Sequence, residues 1–310
     1  RDPRPAGLER PGGTAASSVS LVDELSARCR FPDRPVLECA VTGGADSLSL
    51  LVLAVRTGRE VNAIHVDHGL RPDSAGDARV VAEAADRFGA TFSCHRVDVE
   101  PGSNLEARAR AARYAALPDD VLTGHTADDQ VETMLLNLMR GAGLEGLSGI
   151  RRDRRPILDL RRAETAALCE QIGLTPVCDP TNDDPALRRN RVRSELLPLL
   201  DDIAERDVVP VIARQADHLR AAADWIGQHA RALDPTDVRS LTSGPAPVAQ
   251  IALRRFIQSE TGSDHPPRAD TLARALDVVH GHIRSTELGG GWTLRRRQGV
   301  LRVESAAGRG

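Results

Sequence analysis

Apolar residues along the first half of this chain keep changing period. Val36–Val41, Val61–Val66, Thr91–Val97 and Val121–Thr123 are short runs of strand length, rich in β-branched residues. Between them, Leu48–Val55, Asp77–Phe88, Asn104–Leu117 and Ala127–Arg140 carry apolar residues at helical spacing. Val80, Val81, Ala84 and Phe88 mark the inner side of one helix, and Val131, Met134, Leu135 and Leu138 that of another. A short amphipathic helix over Val19–Cys29 precedes the first strand. Strands alternating with helices of this length predict βαβ crossovers, and so a parallel sheet with helices on both faces. The second half reads differently. Helices are expected over Arg162–Ile172, Arg193–Leu200, Val211–Ala232, Ala249–Ser259 and Ala269–His280. The stretch Thr293–Val303 then alternates like a β-hairpin turning at Gln298–Gly299. The organisation expected is a disordered tail over 1–18, an α/β domain over 19–203 and a smaller, mainly helical domain over 204–310.

With 310 residues the chain can bury two cores. No apolar run approaches the ~20 residues that span a bilayer, and the Arg- and Pro-rich start has no signal-peptide core. A cytoplasmic protein with no membrane role is expected. Five cysteines without a C-x-x-C pair argue against a disulfide framework, a zinc ribbon or an iron–sulfur site. A net charge of −3 gives no hint of nucleic acid, but its distribution does. The chain has no lysine, so every cationic side chain apart from histidine is an arginine, suited to bidentate contacts with phosphate. Arg140, Arg151, Arg152, Arg154, Arg155, Arg161 and Arg162 form one group, and Arg188, Arg189, Arg191 and Arg193 another.

The chemistry concentrates where strands end. After the first strand comes T-G-G-A-D-S (Thr42–Ser47), leading directly into a helix. Paired glycines let backbone N–H groups close on an anion, and the helix adds its positive end. The spacing is not that of a Walker loop. It resembles the PP-loop, which holds the pyrophosphate of ATP in enzymes that adenylate a substrate oxygen. A divalent ion neutralising phosphate takes carboxylate oxygens. Asp46 is one candidate. Another lies in G-H-T-A-D-D-Q-V-E-T, where Asp128, Asp129 and Glu132 open a helix, and Asp129 and Glu132 share a face. His65 and His68 in H-V-D-H lack the further ligands zinc needs and read as structural or substrate-shaping. Glu106, Arg110, Arg113 and Tyr114 form a stripe on an alanine-rich helix, from which Arg113 could reach phosphate.

Taken together, T-G-G-A-D-S-L, H-V-D-H-G-L-R, N-L-E-A-R-A-R-A-A-R-Y, G-H-T-A-D-D-Q-V-E-T-M-L-L-N-L-M-R-G-A-G and D-P-T-N-D-D-x₄-R-N-R-V-R resemble the tRNA(Ile)-lysidine synthases. The motifs run in that order over about Val36–Leu200. The resemblance is to the compact actinobacterial form, without the further C-terminal domain of longer members. It implies ATP and Mg²⁺ as cofactors, with free L-lysine and a tRNA(Ile) bearing a CAU anticodon as partners. The oxygen on carbon 2 of the wobble cytidine would be adenylated, and the lysine amine would then displace AMP. By motif, Thr42, Gly43, Gly44, Ala45, Asp46, Ser47 and His125 would hold the nucleotide, and Asp46 and Asp129 the metal. Glu132 would seat the lysine ammonium, and Arg113 would act in catalysis. Arg110, Arg151, Arg152, Arg189, Asn190 and Arg193 would contact the tRNA. The family usually opens its loop with serine; here Thr42 keeps the hydroxyl and adds a methyl. The competing reading is a PP-loop tRNA thiolase or another adenylating tRNA-modifying enzyme, for which paired cysteines are missing.

Overall fold

The computed structural model describes residues 20–67, 69, 74–97, 108, 111–112, 115–178, 184–263 and 265–305. The expected tail and most of the helix over Asn104–Leu117 therefore lie outside the described residues, as do Arg110, Arg113 and His68. In the first half the described elements are α1 (Leu21–Ser26), β1 (Val36–Ala40), α2 (Ala45–Val55), β2 (Glu60–Asp67), α3 (Ser74–Phe88), β3 (Thr91–Arg96), β4 (Leu122–Thr123) and α4 (Ala127–Met139). Then come α5 (Leu144–Leu147) and α6 (Arg162–Gln171). Next is α7, which starts at Arg188–Arg191, widens into a π turn at Val192–Leu196 and continues as Leu197–Ala204. The last elements are α8 (Val209–Ala230), α9 (Val238–Ser243), α10 (Ala246–Thr261), α11 (Ala269–His280), β5 (Ser285–Gly289), β6 (Trp292–Arg297) and β7 (Val300–Ser305).

The first sheet is parallel, in the order β3-β2-β1-β4. Alternation along β1 sends Leu37, Cys39 and Val41 to one face, where they meet Leu48 and Leu51 of α2, Val81 and Ala84 of α3 and Leu168 of α6. On the opposite face Ile64 and Val66 of β2 pack with Leu117 and Val121. Burial on both faces explains why these strands read as continuous apolar runs. Two of the three helices on the first face carry site residues. α2 begins where β1 delivers the glycine turn, and α6 lies against α2, its Thr165 carbonyl accepting from the buried Ser49 hydroxyl at 3.0 Å.

By compactness the chain divides into residues 1–136 with 150–213, and 137–149 with 214–310. The sequence predicts a boundary at 203/204 and no part for Asn137–Gly149 in the second unit; the structure differs on both. That segment is tied there by Glu145, which pairs with Arg254 and with Arg255 at 2.8 Å, and by Arg220, which donates to the Gly149 carbonyl at 2.9 Å. Within α4, Val131 and Met134 are buried as expected, but Leu138 is exposed: the stripe's packing ends with the first unit at Leu136.

The second unit has its own core of Val238, Leu241, Leu253, Ile257, Ala275, Val278, Leu294 and Leu301. Its hairpin turns at Gln298 and Gly299, with φ of +52° and +81°, which is the left-handed pair a two-residue turn requires. β5 adds a third antiparallel strand that its polar sequence, S-T-E-L-G, did not announce. Among the described residues no helix is long and apolar enough to cross a membrane, and all five cysteines are free.

Leu168 is fully buried between α6 and the sheet. Leu168→Ala should cost about 3 kcal/mol, the transfer term plus the cavity left behind, read as a lower urea midpoint at unchanged m-value.

Candidate active site

The turn after β1 is held by its own side chains. The Thr42 N–H donates to the Ser47 hydroxyl at 3.1 Å, Ser47 donates on to the Gly44 carbonyl at 2.9 Å, and the two hydroxyls of Thr42 and Ser47 stand 3.3 Å apart. The extra methyl of Thr42 leaves that contact intact. Gly43 has φ +91°, and a β-carbon there would come within 2.9 Å of Val177, whose N–H donates to the Gly43 carbonyl. Both the conformation and the packing demand glycine. Gly44 then serves as N-cap of α2. The turn after β4 comes in against this loop: a β-carbon on Gly124 would sit 2.7 Å from the Asp46 carbonyl oxygen. T-G-G-A-D-S and T-G-H-T, far apart in sequence, thus share one strand-end crevice.

Three carboxylates converge there. Asp46, in the first turn of α2, accepts the Thr165 hydroxyl on Oδ1 and has Arg162 Nε 3.7 Å from Oδ2. Asp129, on α4, accepts the Thr126 N–H and hydroxyl on Oδ2 at 2.8 and 3.0 Å. Its Oδ1 receives Arg162 at 3.0 Å and Arg189 at 3.1 Å. Glu132, one turn on, is wholly buried; Arg162 reaches it at 3.0 Å, Arg189 at 2.6 Å and Arg193 at 2.8 Å.

The two aspartates titrate in opposite directions. Burial pushes Asp46 up to about 6; the Thr165 hydrogen bond pulls against it and the negative Asp129 adds to it. Burial also acts upward on Asp129, but Arg162, His125, the Thr126 N–H and Arg189 outweigh it and hold this carboxyl below the usual range.

Arg162 is the hub that the motifs did not single out beyond its membership of an arginine group. Its neighbour explains its position. Arg161 clasps Asp128 with Nε at 3.1 Å and Nη2 at 3.2 Å and also pairs with Asp207, while the Arg162 N–H donates to Asp128 at 2.8 Å. Asp128 thereby fixes the first turn of α6. Thr165, three residues on, was also not foreseen. A signal existed: two arginines at a helix start oppose the macrodipole and need acidic partners.

The other expected residues fall in several places. His125 accepts from or donates to the Thr123 hydroxyl at 2.8 Å, beside Asp129. Asn190 is buried, its amide donating to the Asp184 carbonyl at 2.9 Å. Arg189 and Arg193, expected on the tRNA, lie against Glu132. Glu132, expected to seat an ammonium, already receives guanidinium N–H groups on both oxygens. Arg152 pairs with Asp159 at 2.9 Å, whereas Arg151 is largely exposed. His65 is buried with Nδ1 2.9 Å from the Val41 carbonyl, a structural tie between β2 and the end of β1.

Residues 20–200 match the family described as the PP-loop domain. The tRNA(Ile)-lysidine synthase of Rhodococcus erythropolis is 40% identical over 73% of this chain and 75% of its own length. That of Mycobacterium leprae is 40% identical over 96% of this chain and 99% of its own. That of Mycolicibacterium paratuberculosis is 42% identical over 81% and 82%. Among solved structures, a U34-tRNA thiolase from Methanococcus maripaludis with a [4Fe-4S] cluster superposes with a TM-score of 0.52. It covers 64% of this chain and 78% of the thiolase at 16% identity, a likeness of fold alone.

Asp46 generates a pH prediction. Its folded pKa, about 6, lies above the ordinary 3.8, so the folded state binds the proton more tightly. Its effect on stability is neutral below about pH 4, becomes a growing cost as pH rises from about 4 to about 6, and is constant above that. Asp46→Asn should therefore raise the melting temperature at pH 8, by at most about 3 kcal/mol of stability, with the gain vanishing near pH 4. Melting curves across that range check it.

Proposed function

The chain belongs to the tRNA(Ile)-lysidine synthases, a PP-loop family, and from that premise we propose that it joins free lysine to carbon 2 of the wobble cytidine in a CAU anticodon. The observation that carries the reading is the meeting of the glycine turn, Asp46 and Asp129 at one strand-end crevice. In the first step the cytidine O2 attacks the α-phosphorus of ATP and pyrophosphate leaves. In the second, the lysine amine attacks carbon 2, the C–O bond breaks, AMP departs and the amine loses a proton.

The turn Thr42–Ser47 and the start of α2 suit the pyrophosphate, which a helix N-terminus and adjacent backbone N–H groups stabilise as charge builds on the leaving group. Asp46 and Asp129 suit Mg²⁺, which is content with one or two carboxylates and takes its remaining oxygens from phosphate and water. Both already share a cation, Arg162, so their negative charge faces a common point. Bound there, Mg²⁺ would neutralise phosphate charge. Thr126 holds Asp129 in orientation and Thr165 holds Asp46. Glu132 gathers Arg162, Arg189 and Arg193, which then face the crevice as a group able to meet phosphate. Arg151, exposed and 3.7 Å from Asp153, suits the tRNA backbone.

The thiolase reading draws less support from the cysteines nearest the loop. Cys169 is buried behind it, 3.6 Å from the Ser49 hydroxyl and from the Ala45 carbonyl, and burial raises its pKa. It is a packing residue without thiolate character.

Incubation with ATP, lysine and a CAU-anticodon tRNA(Ile) should yield lysidine in the digested nucleosides, and omission of lysine should leave adenylated tRNA. Thiolated nucleoside in place of lysidine, or no tRNA-dependent release of pyrophosphate, would refute the reading. Glu132→Gln separates two roles by rapid quench. A loss of at least tenfold in adenylation as well as lysine transfer is expected if the carboxylate gathers arginines. A defect confined to the lysine concentration dependence would return it to the ammonium-binding role.

A further inference from the structure

The geometry points to Arg162 as a resident counterion of the metal site, one that keeps a bare divalent ion out until nucleotide arrives. We infer this from where its guanidinium lies, and the inference rests on the assignment of Asp46 and Asp129 to the metal. Nη2 is 3.0 Å from Asp129, Nη1 is 3.0 Å from Glu132 and Nε is 3.7 Å from Asp46. One planar cation thus spans both proposed metal ligands and the buried acid behind them.

Charge balance gives this placement its consequence. Asp46, Asp129 and Glu132 contribute three negative charges; Arg162, Arg189 and Arg193 contribute three positive ones. The group is neutral. A bare divalent ion entering it would leave excess positive charge in a poorly solvated place, which is costly. A metal–nucleotide complex does not, because its phosphates outweigh the ion and supply new partners for displaced guanidinium groups.

The site is built to let one contact go before the others. Asp46 is held by Arg162 only at 3.7 Å, and its other oxygen takes a neutral hydroxyl from Thr165. Asp129 is held by two arginines and by Thr126 on its second oxygen. Asp46 is therefore the carboxylate an incoming ion reaches at least cost, while Glu132 retains Arg162 as it swings from Asp46. Asp128 keeps the Arg162 main chain in place throughout, through the 2.8 Å bond from its N–H.

The test uses Mn²⁺ alone with nucleotide-free, full-length protein, read by electron paramagnetic resonance. Wild type should bind weakly. Arg162→Gln, which leaves the acids in excess, should bind Mn²⁺ at least tenfold more tightly. Adding Asp46→Asn or Asp129→Asn to that variant should remove the gain. Arg162→Lys keeps the charge as a point that cannot span three acids, and should fall between wild type and the glutamine variant. If Arg162→Gln is unfolded without metal, millimolar Mn²⁺ should fold it, as followed by circular dichroism. Unchanged or weaker Mn²⁺ affinity in Arg162→Gln, or a chain that Mn²⁺ does not fold, overturns the inference. Failure of the metal assignment looks different: Asp46→Asn and Asp129→Asn in an otherwise wild-type chain would then leave binding of the Mn²⁺–ATP complex unchanged.

Discussion

A carboxylate cannot be buried alone. Glu132 has no exposed surface, and an ionised acid there without partners would cost several kcal/mol. It is offset by three guanidinium groups carried on two other helices, α6 and α7. Those helices must therefore sit where Arg162, Arg189 and Arg193 can reach α4. The rest of the site follows from that demand. With α6 fixed, Thr165 meets Asp46 and the Ser49 hydroxyl meets the α6 backbone. The end of β1 and the acids of α4 are thereby drawn into one place.

Close backbone approach is the second constraint, and glycine carries it. Gly43 admits Val177, and Gly124 admits the Asp46 carbonyl. Neither position has room for a β-carbon, so both turns can stack at the sheet's carboxyl edge. Polar contacts then set the finer geometry: Thr42 with Ser47 inside the loop, Thr126 with Asp129 at the start of α4. Asp46 and Asp129 each have one oxygen committed to a hydroxyl or N–H donor and the other turned to a cation, whereas both oxygens of Glu132 face guanidinium groups.

Much of this was legible in the sequence because it was local. The apolar runs specify the strands of the first sheet, and T-G-G-A-D-S specifies the glycine turn that leads from β1 into α2. The i, i+3 spacing of Asp129 and Glu132 placed them on one face. What was missed depends on pairs distant in sequence. Arg162 and Thr165 acquire their role from α6 packing on α2, and no periodicity in L-R-R-A-E-T encodes it. Glu132 read as an acid free for a ligand because nothing near it in sequence announces that arginines at 189 and 193 will reach it. β5 escaped notice since S-T-E-L-G has one apolar residue to bury and gains its pairing from β6. The π turn at Val192–Leu196 likewise has no signature in a sequence that predicts ordinary helix from Arg193.

The triple clasp on Glu132 also bears on how such a chain can drift over generations. Loss of the acid alone leaves three positive charges facing two negative ones, Asp46 and Asp129, and loss of one arginine leaves the others carrying a shared load. Single changes at 132, 162, 189 or 193 therefore begin from a disadvantage that a second change at a partner can relieve. Those four positions should vary together or stay fixed together across descendants, while Arg191, paired on the surface with Glu195, is free to wander.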